Sequence, residues 1–304
     1  MPQTVLITGG TGTVGRPLTR LLQAKGYQVS YLSRSGKPIQ HIKVYQWDPS
    51  NGRIDAEAVA AADYIIHLAG AGIADSRWTD SRKREILQSR TQSTDLLVRT
   101  LAQTSHKVKA FISSSAIGYY GGDTGNQPLT ENSAPGKDFM AEVTVAWEQA
   151  AEAIAHLGIR TVKLRIGVVL SVEGGALSKL IMPVKWGVGS PLGSGQQHIS
   201  WIHIDDLCRL FLEAMESPDW QGVYNAVAPA PVTNETLTRH IAEALKKPLW
   251  LPNIPAALLR LILGEMAVVI LGSSNVQNKR IKESTDFNYL FKDSHMAICN
   301  LLNK

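Results

Sequence analysis

The chain has 304 residues, 44% of them hydrophobic and 19% charged, a balance that suits a globular protein with a large core and excludes a disordered or low-complexity chain. Its formal net charge of +5 is mild for that length, and the densest basic group is only Arg77, Arg82, Lys83 and Arg84, so nucleic-acid binding is not expected. Cys208 and Cys299 fit no metal or redox spacing and sit among apolar residues, which predicts two buried free thiols, no metal and a reducing, cytoplasmic setting.

In chain order, Thr4 to Thr8 is a short apolar run that begins without a signal-peptide pattern. Gly9-Gly10-Thr11-Gly12-Thr13-Val14-Gly15 follows, then an amphipathic stretch to Lys25 and an alternating run from Tyr27 to Leu32. Strand, glycine turn, helix and strand make the phosphate-gripping unit of a dinucleotide fold. Gly9 is expected to turn the chain off the strand. Gly12 is expected to let backbone N–H groups approach a pyrophosphate, and Gly15 to let the helix pack closely on the sheet. The helix N-terminus then presents its positive end to the phosphates. The second strand ends in Ser33 and Arg34, where an NAD enzyme would carry an acid. Removing that repulsion and adding a forked cation favours a 2′-phosphate, so NADP(H) is the expected cofactor.

Further strands are expected at Ile42 to Trp47, Asp63 to Leu68, Val108 to Ser113, Thr161 to Leu170 and Gly222 to Val227. Long helices are expected at Thr79 to Thr104, with Ile86, Leu87, Leu96, Leu97, Val98 and Leu101 inward, and at Phe139 to Leu157. That alternation predicts an α/β architecture, a Rossmann doubly wound parallel sheet with helices on both faces. Val172 to Ser200 is glycine-rich and irregular, and reads as an excursion covering a substrate; Trp201 to Glu216 reads as a strand end and a helix. Thr233 or Asn234 is placed to cap a helix to Leu245. Ile254 to Gly272 is apolar but holds Arg260, Gly264 and Glu265, so a buried helix pair or an interface helix is expected rather than a span, and no membrane partner. The expected domains are residues 1–171 plus 200–228 for the cofactor and 172–199 plus 229–304 as a smaller, mostly helical substrate domain.

Several stretches together carry a family resemblance. They are Ile117-Gly118-Tyr119-Tyr120-Gly121, Trp147-Glu148, Arg165 to Leu170, Gly193-Ser194-Gly195-Gln196, Trp201 to Asp206, and Asn225 to Pro229. The chain resembles the extended short-chain dehydrogenase/reductases, and within them the atypical "epimerase family protein" subgroup, over nearly its whole length. The resemblance implies that Thr11, Gly12 and Val14 line the pyrophosphate and that Ser33 and Arg34 meet the 2′-phosphate. It implies that Leu68, Ala69 and Gly70 pass beneath the cofactor, that Glu85 and Arg90 approach from the long helix, and that Val169 lies beside the nicotinamide. Read from spacing alone, Glu85 and Arg90 form a helix-surface pair. The resemblance also implies a homodimer through the two long helices.

The resemblance further implies a catalytic Ser or Thr after a strand, and a Tyr with a Lys four residues on. Ser115 matches the first. Phe139 and Val143 stand where the Tyr and Lys belong, and neither can move a proton. Hydride transfer to a carbonyl still needs a proton or an oxyanion stabiliser. Tyr119 and Glu142 are the foremost candidates, with Tyr120, Asp138 and Lys137 behind them. His203, Asp205 and Asp206 read as a strand-to-helix turn in which an aspartate caps the helix, not as a metal site. Gly187 to Gln197 is expected to be a flexible loop near the substrate. An oxidoreductase or epimerase-like enzyme acting on an unknown carbonyl or sugar-like molecule is the leading expectation. A non-catalytic NADP(H)-binding sensor or scaffold is the alternative.

Overall fold

The computed structural model describes residues 2–303. Its centre is an eight-stranded sheet: β1 (Thr4–Thr8), β2 (Gln28–Ser33), β3 (Lys43–Asp48), β4 (Arg53–Ile54), β5 (Tyr64–His67), β6 (Ala110–Ala116), β7 (Arg160–Ile166) and β8 (Gly222–Ala226). The spatial order is β8-β7-β6-β5-β1-β2-β3-β4, parallel throughout except for the antiparallel edge strand β4. Strands covered on both faces need apolar side chains pointing both ways, which explains runs such as Val5-Leu6-Ile7. Val5 and Ile7 join the core on one face with Leu18 and Leu22 of α1 (Gly15–Ala24). Leu6 points to the other face, with Leu96, Leu97 and Leu101 of α3 (Asp80–Gln103).

A single turn of helix, α2 (Glu57–Ala60), precedes β5. Helix α4 (Phe139–Ala155) lies against α3. Both long helices have side-chain caps: Thr79 Oγ1 accepts from Arg82 N, and Asp138 Oδ1 from Ala141 N. On α3, Ile86, Leu96, Leu97 and Leu101 are buried as expected, whereas Leu87 and Val98 are half-buried and Ser93, Thr94 and Thr100 take the remaining inward positions.

The expected strand from Thr161 to Leu170 breaks at Gly167. A Cβ there would stand 2.4 Å from the Ser200 carbonyl oxygen. Beyond the break, Val168–Leu170 leaves the main sheet and pairs in parallel with Trp201–His203. The excursion after Ser171 is also more ordered than its glycines suggest. It contains α5 (Gly175–Lys185), because Leu177, Ile181 and Val184 form one buried helical face.

Helix α6 (Ile204–Glu216) returns the chain to the sheet at β8. Beyond β8 come α7 (Asn234–Ala244), α8 (Ala256–Leu263), α9 (Val268–Leu271), α10 (Lys279–Ser284) and α11 (Ser294–Leu302). Thr233 caps α7 by accepting from Thr236 N at 3.1 Å. Two short pairings tie this part to earlier chain: His198–Ile199 with Val232–Thr233, and Pro128–Leu129 with Asn275–Val276. The expectation of a buried helix pair at Ile254–Gly272 fails, since neither α8 nor α9 buries a residue; only Met266 and Ala267 in the turn between them are covered. No helix among the described residues is long and apolar enough to cross a membrane. Of the two cysteines only Cys208 is buried. Cys299 is half-buried, with Sγ 3.8 Å from His295 Nε2, because α11 turns that edge outward.

Candidate functional site

The glycine turn sits at the carboxyl end of β1. Gly9 has φ +70°, and a Cβ on it would press the Leu68 carbonyl at 3.0 Å. Gly12 N donates to Gly9 O at 3.0 Å and closes the turn. Gly15 makes its close approach to the loop and not to the sheet: a Cβ there would lie 2.5 Å from the Cα and carbonyl oxygen of Gly10. Gly10, which the motif reading left without a task, would collide with the Tyr31 ring at 2.3 Å. Gly12 differs from these. A Cβ on it would meet only the Gly9 carbonyl, at 3.3 Å, so its other side is open. Helix α1 begins behind it with no side-chain cap on its first N–H groups. An uncapped helix start under an open glycine is a cradle for an anion.

Ser33 closes β2, and its hydroxyl lies 3.2 Å from Ser35 Oγ. Arg34 is exposed and forms no ion pair among the described residues. Thr11 contributes its carbonyl to Arg16 Nε at 2.8 Å.

The floor beside this loop is set by a buried histidine that sequence reading overlooked. Thr8 Oγ1 accepts from Leu68 N and Ala69 N, both at 3.1 Å, so its own proton goes to His67 Nδ1 at 2.7 Å. Ser93 and Thr94 give their hydroxyl protons to α3 carbonyls and therefore accept from His67 Nε2. That pattern requires the neutral imidazole protonated on Nε2. Burial, and then the nearby Arg90 charge, push the His67 pKa down to about 3. The histidine thus holds Leu68 and Ala69 in place. An alternation of Thr8 and His67 at equivalent positions of neighbouring strands is the signal that could have found it.

Glu85 and Arg90 do not pair. Glu85 is exposed and bonds Arg82 at 2.7 Å. Arg90 is largely enclosed, donates to Ile86 O at 2.9 Å and lies 5.1 Å from the centre of the Trp147 ring. Its side chain passes within 3.3 Å of where a Cβ on Gly70 would stand. No carboxylate pairs with it among the described residues, and burial followed by repulsion from Arg82 lowers its pKa to about 10. Phe139, Val143 and Trp147 follow one another at four-residue spacing on α4, so the ring this guanidinium meets stands in one row with Phe139 and Val143. Phe139 itself packs edge-on against Trp78, ring centres 5.0 Å apart, with Lys83 Nζ 5.4 Å away. Val169 is half-buried in the short strand beyond Gly167.

The serine corner is a closed network. Ser115 Oγ donates to Glu148 Oε1 at 2.6 Å. Arg165 grips both oxygens of Glu148, each at 2.8 Å, and donates to Tyr120 Oη at 2.9 Å. Tyr120 Oη donates on to Asn225 Oδ1 at 2.8 Å, and Glu131 accepts from Asn225 N at 3.0 Å. Burial works to lower the Arg165 pKa, but the Glu148 carboxylate holds it above the usual arginine value. Burial pushes the Tyr120 phenol up. Ser115 is therefore committed to a buried ion pair. Sequence reading missed that partnership; Lys163 and Arg165, charged residues inside an apolar strand, were the available signal.

Of the other candidates, Glu142 is exposed on α4, turned away from buried Val143, so it does not join Ser115. Asp138 caps α4 and also accepts from Gly122 N at 2.6 Å. Tyr119 is half-buried, its ring 3.3 Å from the Arg165 guanidinium carbon, and its hydroxyl has no hydrogen-bond partner among the described residues. The expectation of an aspartate cap on α6 is corrected: His203 Nδ1 accepts from Asp205 N at 3.0 Å, while Asp206 accepts from Leu290 N and Phe291 N. No three His, Cys, Asp or Glu side chains among the described residues are grouped to hold a metal ion.

The family model described as the NAD dependent epimerase/dehydratase family matches residues 5–227. The chain belongs to that family. Residues 254–301 match a second model, a domain of unknown function (DUF1731). The Arabidopsis thaliana protein "Epimerase family protein SDR39U1 homolog, chloroplastic" is 38% identical, over 97% of this chain and 86% of that protein. "Epimerase family protein YfhF" of Bacillus subtilis is 34% identical, over 98% of this chain and 97% of that protein. Among solved structures, human epimerase family protein SDR39U1 (isoform 2) with NADPH is similar, with a TM-score of 0.87, 30% identity and 99% of each chain covered. The sequence resemblance to this subgroup and the Rossmann fold are both upheld.

Proposed function

We propose that this protein binds NADP(H) and acts as an oxidoreductase or epimerase-like enzyme on a small carbonyl or sugar-like molecule, with Tyr119 as its proton donor. The observation that carries the cofactor half is the open cradle: Gly12 leaves one side free over an uncapped helix start, and the strand beside it ends in Ser33 and an unpaired Arg34. These groups fit a dinucleotide with a 2′-phosphate. The bound dinucleotide would supply the hydride. The chain's own groups would do the rest. Arg34 would hold the 2′-phosphate and the α1 N–H groups the pyrophosphate. Arg90, enclosed without a carboxylate, would answer ligand oxygens at the inner end of the cleft, in the row that lacks the lysine. The human relative's structure with NADPH supports this reading.

Tyr119 is chosen because Ser115 and Tyr120 donate to protein acceptors and Glu142 faces solvent. Its test is turnover of NADPH with a panel of carbonyl compounds and nucleotide sugars. Tyr119→Phe should lower turnover by roughly a hundredfold or more without weakening NADPH binding. The serine network also favours a second reading, a cofactor-binding sensor without turnover, because Ser115 is held by Glu148 and neither Phe139 nor Val143 can move a proton. Tight NADPH binding with no turnover across the panel would select it.

A further inference from the structure

Among the described residues, the lysines and arginines drawn below the surface are answered from within the fold, with Arg90 the exception. Arg82, Lys83, Lys163, Arg165 and Arg209 each meet at least one carboxylate. Arg160 and Arg280 lack a carboxylate but donate to three and two backbone carbonyls. Arg90 has neither form of compensation. Its single hydrogen bond is Nη1 to Ile86 O, and the charge that acts on it is the like-signed Arg82. A cation withdrawn from water without a counter-charge is costly to keep.

Arg165 shows within the same molecule what the unused part of Arg90 can do. Its Nε and Nη2 grip the two oxygens of Glu148 side by side, each at 2.8 Å, while Nη1 turns to Tyr120. Arg90 likewise spends Nη1 and keeps the matching Nε–Nη2 edge free. That edge is not sealed in the core. Gly70 leaves room beside it, since a Cβ there would stand 3.3 Å from both Cγ and Cζ of Arg90. The buried Trp147 ring, 5.1 Å away, keeps the surroundings poorly polarisable, which strengthens an ion pair formed on the free edge.

The cofactor reading, on which this inference rests, leaves no anion for Arg90. The pyrophosphate goes to the α1 N–H groups and the 2′-phosphate to Arg34. The nicotinamide end of the dinucleotide brings no negative charge, and in the oxidised form it is itself positive. The counter-charge comes with the second ligand. A side-on fork of two parallel N–H groups fits the two oxygens of a carboxylate, whereas a phosphate monoester would bring nearly two charges to one guanidinium. We infer that the substrate is an acid, a carbonyl compound whose carboxylate takes Arg90 Nε and Nη2 as Glu148 takes those of Arg165. Arg90 is then the residue that selects acids over neutral carbonyl compounds.

The test is calorimetry on the full chain saturated with NADP+, titrated with matched pairs of probes. They are pyruvate against methyl pyruvate, 2-oxoglutarate against its dimethyl ester, and dihydroxyacetone phosphate against dihydroxyacetone. The expected result is binding of a carboxylic acid and not of its ester. Arg90→Gln should weaken that acid by about 10- to 100-fold and leave NADP+ within about twofold. Arg90→Lys keeps the charge without the fork and should recover part of the loss. Circular dichroism checks both variants, and the comparison of acid with ester in the unaltered chain stands even if Arg90→Gln does not fold. Equal binding of the neutral partners overturns the inference, as does binding of the phosphate alone or of no acid. A loss of NADP+ affinity of about tenfold in Arg90→Gln would also overturn it, by giving the arginine to the cofactor. Failure of the unaltered chain to take NADP+ shows in the first titration and removes the cofactor reading as well, whereas NADP+ bound without preference for acids removes this inference alone.

Discussion

The glycine cradle and the serine corner lie at the carboxyl ends of β1 and β6, with β5 between them, yet they treat their polar groups in opposite ways. Around Ser115 nearly every polar atom is answered from within: Ser115 by Glu148, Glu148 by Arg165, Tyr120 by Asn225. Around the cradle they are left open. Arg34 and Arg90 have no carboxylate, and α1 starts without a side-chain cap. Buried polar groups are satisfied wherever the fold alone decides, because an unpaired one is costly. Groups left unanswered next to an open glycine mark where a ligand would complete the account. By that contrast Ser115 is held within the architecture by Glu148, whereas Arg90 is enclosed without a carboxylate among the described residues.

The largest effect should come from opening the closed side. Glu148→Ala strands the Arg165 charge in the interior and should destabilise the fold by about 3–5 kcal/mol in urea titration. A loss under 1 kcal/mol would mean that the network is slack and Ser115 is free after all. Acid should act next, through His67. Its pKa is depressed in the folded state to about 3, so between that value and the ordinary 6.5 the unfolded chain binds the extra proton. Stability should therefore fall as pH drops through this window, by about 1.4 kcal/mol per unit from this group. His67→Gln should flatten the slope of unfolding free energy between pH 6 and 4, and an unchanged slope would remove His67 from the account.

Arg34→Ala addresses the open side. It should weaken NADPH by roughly 10- to 100-fold in calorimetry and hardly change NADH. Equal losses for both would break the assignment of Arg34 to the 2′-phosphate. The smallest effect is kept for Ser115→Ala, about 1–2 kcal/mol of stability with any turnover nearly intact. A hundredfold fall in kcat with stability preserved would reverse the comparison, returning the serine to chemistry.

The amino-acid sequence by itself determined the alternating α/β order, the glycine turn, the absence of an acid after β2 and the apolar residues Phe139 and Val143 at the start of α4. These are local statements, carried by spacing and residue type over a few positions. Only the tertiary structure decided that Gly15 packs on Gly10, that Gly167 breaks its strand against Ser200, that Arg90 lies along the Phe139–Trp147 row, and that Ser115 belongs to Glu148. Ser115 and Glu148 are 33 positions apart, and Tyr120 and Asn225 105. Periodicity reports which face of an element turns inward, but not which partner waits there. The same holds for α8: its apolar spacing read as a burial signal, and only the packed fold left that face uncovered. Hydrophobic pattern expresses a need for cover, and the neighbours brought up by the rest of the chain determine whether the cover is protein or something else.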